Sequence, residues 1–258
     1  GRSGKAIDQA AVAVAASYSF HQPDDHWVSE RCVMAELTAY EAGWREICDG
    51  LDAHPGIGVS YRLEGRLDTD FADAAASWDA LVRPQRIEAP TGLEQCYLRF
   101  QELGRQWGAA KANVDGEFYL THIARAASPA DPTWLPSDED DERFPSSELR
   151  IIDEHPVTGT GRYAALRLLP GGGEPEVWWV ATPRYGAWRM DIGYREYLDA
   201  LKVTMGAFDW QFLFTRAPLG EQEFTPVRRR VEGMLEALPV LFPEHDYAPL
   251  RERLTARL

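Results

Sequence analysis

Two neighbouring stretches near the C-terminus decide the fold: Trp188-Arg-Met-Asp-Ile-Gly-Tyr-Arg-Glu-Tyr-Leu-Asp-Ala-Leu-Lys202 and Gly206-Ala-Phe-Asp-Trp-Gln-Phe-Leu-Phe-Thr-Arg216. The apolar side chains of the first recur at three- and four-residue spacing, which predicts an amphipathic helix over residues 194–204. The second is rich in large aromatic side chains, which favour buried positions. Neither stretch carries a catalytic signature. We predict that both pack the core, through Tyr194, Tyr197, Leu198, Leu201, Phe208, Trp210, Phe212 and Phe214.

The flanking segments predict a β-meander followed by helices. Short β-favouring runs separated by turn residues predict strands at residues 149–152, 161–169, 176–182 and 188–190. Gly171-Gly172-Gly173 lies between two of these strands and predicts a hairpin turn, because a phosphate loop would need a helix after it. Alternation places Trp178 and Trp179 on opposite faces of their strand. Further helices are predicted over residues 224–238 and 248–258.

The first part of the chain is predicted to be mainly helical. Ser29 is a candidate N-cap for a helix ending near Asp52, with Val33, Leu37, Tyr40, Trp44, Ile47 and Leu51 on one stripe. Residues 59–63 alternate like a short strand, and residues 70–82 fit a helix. Thr91-Gly-Leu-Glu94 resembles a capping box and predicts a helix through Ala112. Residues 116–124 favour a strand by composition but are few.

Together these patterns predict an α+β fold, with an antiparallel sheet flanked by helices and a helical N-terminal part. Three parts are distinguished along the chain: residues 1–127, mainly helical and acidic; residues 128–147, an acidic loop; and residues 148–258, the β-meander with the C-terminal helices. We expect them to form one compact unit.

The charge of the chain is negative and unevenly distributed. The net charge is −14; residues 1–150 carry 26 acidic and 14 basic side chains, and residues 151–258 carry 15 and 13. Such a field repels nucleic acid and anionic lipid and attracts basic proteins, so neither a nucleic-acid nor a membrane partner is expected. The densest acidic run is Asp138, Glu139, Asp140, Asp141 and Glu142. Its like charges favour a solvated loop, and the functional alternative is that this run binds a basic partner.

No motif in the sequence indicates a reaction or a cofactor. There is no G-x-S-x-G, H-E-x-x-H, phosphate loop or dinucleotide fingerprint, so no catalytic residue is assigned and the question of an enzyme stays open. The loop His21-Gln-Pro-Asp-Asp-His26 offers possible metal ligands. It lacks helical spacing and a further ligand nearby, so it is interpreted as a polar loop.

Cysteine usage and hydropathy indicate a compartment. Cys32, Cys48 and Cys96 include no C-x-x-C pair, which favours a reducing environment and buried thiols. No apolar run approaches the ~20 residues that span a bilayer, and no signal peptide is recognised. A cytoplasmic protein is therefore expected.

The C-terminal part resembles a known family. A β-meander, a helix led by an aspartate and an aromatic segment occur in this order at the end of the SUKH superfamily, the Smi/Knr-like bacterial immunity proteins. The family helix carries a D/S-F-x-E-F/Y-L type pattern, and comparable positions here hold Asp191, Tyr194, Glu196, Tyr197 and Leu198. The resemblance covers about residues 147–258, while the L-P-x-x-Y segment and N-G-G turn of the family are missing from the first half. It implies an α+β fold and stoichiometric, non-catalytic binding of a toxin, often a nuclease.

Two main hypotheses follow from these observations. The leading one is a binding protein, toxin-neutralising or regulatory, that engages a basic partner through its acidic surface. The alternative is an enzyme or small-molecule-binding domain with an aromatic pocket, whose polar contacts come from His155, Arg162, Arg167, Arg184 and Arg189. A self-associating structural subunit is a third interpretation.

Overall fold

An antiparallel sheet runs through the molecule, with its strands in chain order. The computed structural model describes residues 36–82, 86–127, 145–169, 171–182 and 184–258. Within these ranges the sheet has seven strands, and each pairs with the next one along the sequence. The strands are β1 (Gly58–Glu64), β2 (Glu102–Ala109), β3 (Val114–Thr121), β4 (Leu149–Glu154), β5 (Tyr163–Arg167), β6 (Glu176–Val180) and β7 (Ala187–Arg189).

Helices precede, interrupt and follow the sheet. They are α1 (Ala39–Ala53), α2 (Ala74–Val82), α3 (Leu93–Cys96), α4 (Ile123–Ala127), α5 (Tyr194–Thr204), α6 (Thr225–Leu241) and α7 (Ala248–Thr255). The predicted α+β fold with an antiparallel sheet is thus confirmed, and residues 36–258 form one compact unit. Among the described residues, no helix is long and apolar enough to cross a membrane.

The predicted helix from Thr91 to Ala112 is wrong. Only the four residues of α3 are helical there, and the chain then enters β2. The apolar positions fit a helical period, but Leu103, Trp107 and Ala109 fit a strand equally well. β2 pairs with β1 on one side and β3 on the other. These long-range ladders outweigh the local helical preference, because strand formation depends on the neighbours that cover the strand.

Helix α1 begins later than predicted. Residues 36–38 are not helical, and Thr38 is the N-cap. Its hydroxyl accepts a hydrogen bond from the Glu41 amide at 3.2 Å, while the Glu41 carboxylate accepts from the Thr38 amide at 2.9 Å. Glu41 is buried, and its carboxylate lies 2.6 Å from Nη2 of Arg99. This pair ties the start of α1 to the segment before β2, whereas the predicted cap Ser29 lies outside the described residues.

The two faces of the sheet carry separate apolar clusters. Trp179 belongs to the main core, which also holds α1, α5 and α6, and Trp178 belongs to a smaller cluster with Leu149 and Tyr163. The predicted alternation of the two tryptophans is therefore confirmed. Both clusters bury their tryptophan almost completely.

The junction between β3 and β4 is the least regular part of the sheet. β2 and β3 share eight registered pairs, but β3 and β4 share one, Leu120 with Asp153. Two buried carboxylates cross this junction. Asp153 Oδ1 accepts from the Tyr119 amide at 2.8 Å, and Glu117 accepts from the amides of residues 157 and 158 at 2.6 and 3.0 Å. Side chains thus replace part of the missing backbone ladder.

The C-terminal stretch that decides the fold packs largely as predicted. Helix α5 spans the predicted residues, and the aromatic segment Trp210–Phe214 is a 3-10 helix with all five side chains buried. Phe208 differs, because it is half-buried and lies at the rim of a cleft. Asp191 is not part of α5. Its carboxylate instead accepts hydrogen bonds from Arg253 and Arg257 of the C-terminal segment at 2.8 and 3.0 Å.

Candidate functional site

The residues predicted to bind a partner are not among those that the structure describes. Asp138, Glu139, Asp140, Asp141 and Glu142 lie outside the described ranges, as do His21, His26 and Cys32. The site is therefore built from the described residues between positions 36 and 127 and between positions 145 and 258.

The outer surface of α1 is acidic. The helix buries Glu41, Trp44, Cys48 and Leu51 on one side. Glu46 and Asp49 lie on the exposed side, three residues apart, and neither has a side-chain hydrogen bond or ion pair with another described residue. Residues at this spacing are neighbours on a helix surface, so the two carboxylates lie together and outnumber the exposed Arg45 beside them.

The buried Arg105 holds two further carboxylates, those of Asp52 and Glu64, in place. Arg105 of β2 is 2% exposed, and its Nη2 donates to Asp52 of α1 at 3.1 Å and to Glu64 of β1 at 2.9 Å. Asp52 also accepts from Nε of Arg62 at 2.8 Å. Arg105 therefore fixes α1 against the edge strand β1 and holds the carboxylates of Asp52 and Glu64 at the surface.

The arginines of the alternative pocket hypothesis divide between two places. Arg162 and Arg184 lie over the ring of Tyr185 on the main-core side. Arg167 and Arg189 both pair with Glu176 on the other face, at 3.4 and 3.1 Å. These four side chains do not line one pocket.

Asp209 is a buried carboxylate that pairs with two partly exposed arginines. Its side chain is fully buried, and its backbone adopts the left-handed conformation with φ 71°. Arg162, which precedes Asp209 in the sequence, and Arg230, which follows it, both donate hydrogen bonds to its carboxylate. One negative charge is shared by two guanidinium groups, so the cluster keeps one positive charge.

Three buried groups have strongly shifted pKa values. Burial raises the pKa of Asp153 to about 7, although hydrogen bonds from Tyr197 and the Tyr119 amide favour its ionised form. Burial lowers the pKa of His155 to about 3, with a further contribution from Arg162, and lowers that of His122 to about 4. The contacts of these three groups are with core side chains. Tyr197 donates a hydrogen bond to Asp153 at 2.7 Å, and both histidines pack against aromatic rings.

The two described cysteines are poor nucleophiles. Cys48 and Cys96 are free and buried, as predicted. Burial raises the pKa of each thiol to about 12. Because the thiolate is the reactive form, both side chains act as small apolar core residues.

A cleft of about 770 Å³ opens between the turn that joins β2 to β3 and one side of α6. The turn contributes Lys111 and Asn113, and α6 contributes Arg229, Met234 and Val240. The sequence carries a signal for part of it, since residues 228–230 are three consecutive arginines. The opposing wall was not predicted, because residues 110–112 were assigned to the end of a helix.

Comparisons with known proteins found no family model, no curated protein and no solved structure that matches this chain.

Within the described ranges, no three His, Cys, Asp or Glu side chains come together as a set that could hold a metal ion.

Proposed function

We propose that this chain is a non-catalytic binding protein that engages a basic protein partner, such as a toxin, through its acidic surface. The observation that carries this proposal is the charge of the exposed side chains that the structure describes. Among the described residues from 36 to 127, ten acidic side chains are exposed against six basic ones. The excess of acid is therefore not confined to the run at residues 138–142.

The architecture is compatible with the SUKH-like assignment that the sequence suggested. A meander followed by α5, an aromatic segment and α6 occurs in the order that the resemblance implies. Immunity proteins of this kind act by occupying their target, which requires a rigid surface and no reagent. We infer the same mode of action for this chain.

The α1 surface suits such a role because its geometry is held in advance. The capping box at Thr38 and Glu41 defines the start of the helix, and Arg105 anchors Asp52. Glu46 and Asp49 are thereby presented on a fixed helix backbone, so binding of a lysine or arginine has to order only their side chains. A negative patch of this kind raises the association rate with basic proteins and makes binding sensitive to salt.

The test is a capture experiment with the purified full chain as bait. A native extract is passed over the bait at rising salt, and recovered proteins are identified and ranked by isoelectric point. We expect a basic protein that is released as salt rises. Binding is then measured with that purified protein and three charge-neutralised baits: E46Q with D49N, the five substitutions at residues 138–142, and E221Q with E223Q as the matched control.

The outcomes separate the surfaces. Weakened binding by the α1 pair or by the 138–142 set, with the control unchanged, supports the proposal and identifies the contact. If the control pair weakened binding equally, the effect would be explained by the change in net charge and not by the position of the carboxylates. Recovery of a non-basic protein, or binding that is insensitive to salt and to all three variants, would contradict the proposal.

A further inference from the structure

The cleft beside α6 has the size of a small-molecule site. Ligand pockets commonly measure about 300–1,000 Å³, are mostly apolar and contain a few polar groups. This cleft measures about 770 Å³ and is lined by apolar side chains that include Phe208, Met234 and Leu241. Val240, which also lines the cleft, is 81% exposed.

One glycine of α6 leaves the cleft open. Gly233 lies among the lining residues, and a Cβ at its position would meet no atom within 4 Å. Glycine in the middle of a helix is less favourable than alanine. The absence of a side chain at Gly233 therefore leaves space in the cleft. Alanine would favour the helix more at this position, so glycine is not there for the stability of the helix.

The charge around the cleft is opposite in sign to that of the whole protein. Lys111 and Arg229 line it from the turn and from α6, and both are exposed. Neither has a hydrogen bond or ion pair with any residue in the described part of the chain. Arg230 adds the surplus positive charge of the Asp209 cluster, whereas Asp115 and Glu236 are the acidic lining residues. The lining thus keeps a net positive charge in a protein of net charge −14.

We propose that this cleft binds a small amphipathic anion, a carboxylate on an apolar body. The apolar body packs on Phe208 and Met234, and the carboxylate pairs with Lys111 and Arg229. The site is separate from the acidic surface of α1, so this proposal stands or falls independently of the partner proposed above.

Calorimetric titration of the full chain with decanoate, below its micelle concentration, tests the proposal. We expect saturable binding at one site per chain. Decyltrimethylammonium has the same alkyl chain with a positive head group, and its binding is expected to be weaker by about tenfold or more, since ion pairs of exposed groups contribute about 1 kcal/mol each.

Two variants locate the site. G233L fills the open space and is expected to abolish decanoate binding, while G50L is its matched control. Gly50 also lies in a helix, α1, and a Cβ there meets no atom within 4 Å. K111Q combined with R229Q is expected to weaken decanoate binding by about tenfold and to leave binding of the cationic analogue unchanged or stronger. Circular dichroism of each variant confirms that the fold is kept.

Three results would overturn the proposal: no saturable binding of decanoate, equal affinity for the cationic analogue, or decanoate binding to the G233L variant that is as strong as to the wild type. Binding of a leucine- and glutamate-rich peptide at the cleft without binding of decanoate would reassign it as a docking groove for acidic protein segments.

Discussion

The β2–β3 hairpin and the β3–β4 junction lie side by side in one sheet and are held together in different ways. The hairpin uses eight registered backbone pairs, so its stability depends little on which polar side chains are present. The junction has one registered pair and depends on the carboxylates of Glu117 and Asp153. Backbone ladders are insensitive to titration, whereas a junction made by buried carboxylates responds to substitution and to pH.

The largest effect is expected from removing the Glu117 carboxylate. It accepts from the amides of Val157 and Thr158 and from the Thr158 hydroxyl at 2.6, 3.0 and 2.5 Å. Hydrogen bonds to a buried charged group contribute about 1.5–3 kcal/mol each, and water offsets part of the loss. E117A should lower the free energy of unfolding in urea at pH 7 by about 4 kcal/mol. The exposed E94A is the control, and an equal effect of both would show that the junction does not need the carboxylate.

The second prediction concerns the pH dependence of the junction. The folded pKa of Asp153 is about 7, and the unfolded pKa of an aspartate is about 3.9. Between these values the unfolded state is ionised and binds fewer protons, so Asp153 lowers stability as pH rises. D153N removes this dependence. Its free energy of unfolding relative to the wild type should increase between about pH 4 and 7, by at most about 1.4 kcal/mol per pH unit, and level off above.

Denaturation curves of both proteins across this pH range check the prediction. The histidines act in the opposite direction, because the lowered pKa values of His122 and His155 cost stability as pH falls below about 6.5. They are present in both proteins and cancel in the difference. A difference that is flat from pH 4 to 7 would rule out a raised pKa at Asp153.

The third prediction tests the hairpin. A Cβ at Gly104 would lie 2.8 Å from the carbonyl oxygen of Phe118 in the paired strand. G104A should therefore cost about 2 kcal/mol in the free energy of unfolding, because the ladder must move apart. G58A in the edge strand β1 is the control, since its nearest atom would be 3.9 Å away. Equal stability of the two variants would mean that the hairpin tolerates a wider spacing than described.

The smallest effect is expected from T158V. This substitution removes one of the three donors to Glu117 and leaves both amides in place. The loss should be about 1.5 kcal/mol by thermal or urea unfolding, the low end for a bond to a charged group, because Thr158 is exposed to water. T69V, at an exposed threonine, serves as the control. A loss as large as that of E117A would show that the hydroxyl, and not the amides, carries the contact.

Prediction from the sequence succeeded where structure is determined locally. The strands from residue 149 onward are bounded by turn residues, and α5 has a clear helical period, so both were recognised. It failed at β2, where Leu103 and Trp107 fit both periods and the decision came from the strands on either side. It also placed the start of α1 too early, because Ser29 was the predicted N-cap, whereas the capping box is formed by Thr38 and Glu41.

The candidate sites likewise divide into features that the local sequence shows and features that depend on distant residues. The acidity of the first half was visible from composition, and part of it lies on the ordered surface of α1. The cleft as a whole was not visible, because its cations Lys111 and Arg229 are more than a hundred residues apart in the sequence. The predicted run at residues 138–142 lies outside the described residues, so its role stays a prediction.

The sequence by itself determined the α+β class, the C-terminal aromatic core and the negative charge, since periodicity, turn chemistry and composition are properties of neighbouring residues. Only the tertiary structure decided which strand lies beside which, how Glu117 and Asp153 bridge the β3–β4 junction, and where an open cleft remains. These features depend on contacts between distant residues, whose energies no local pattern records.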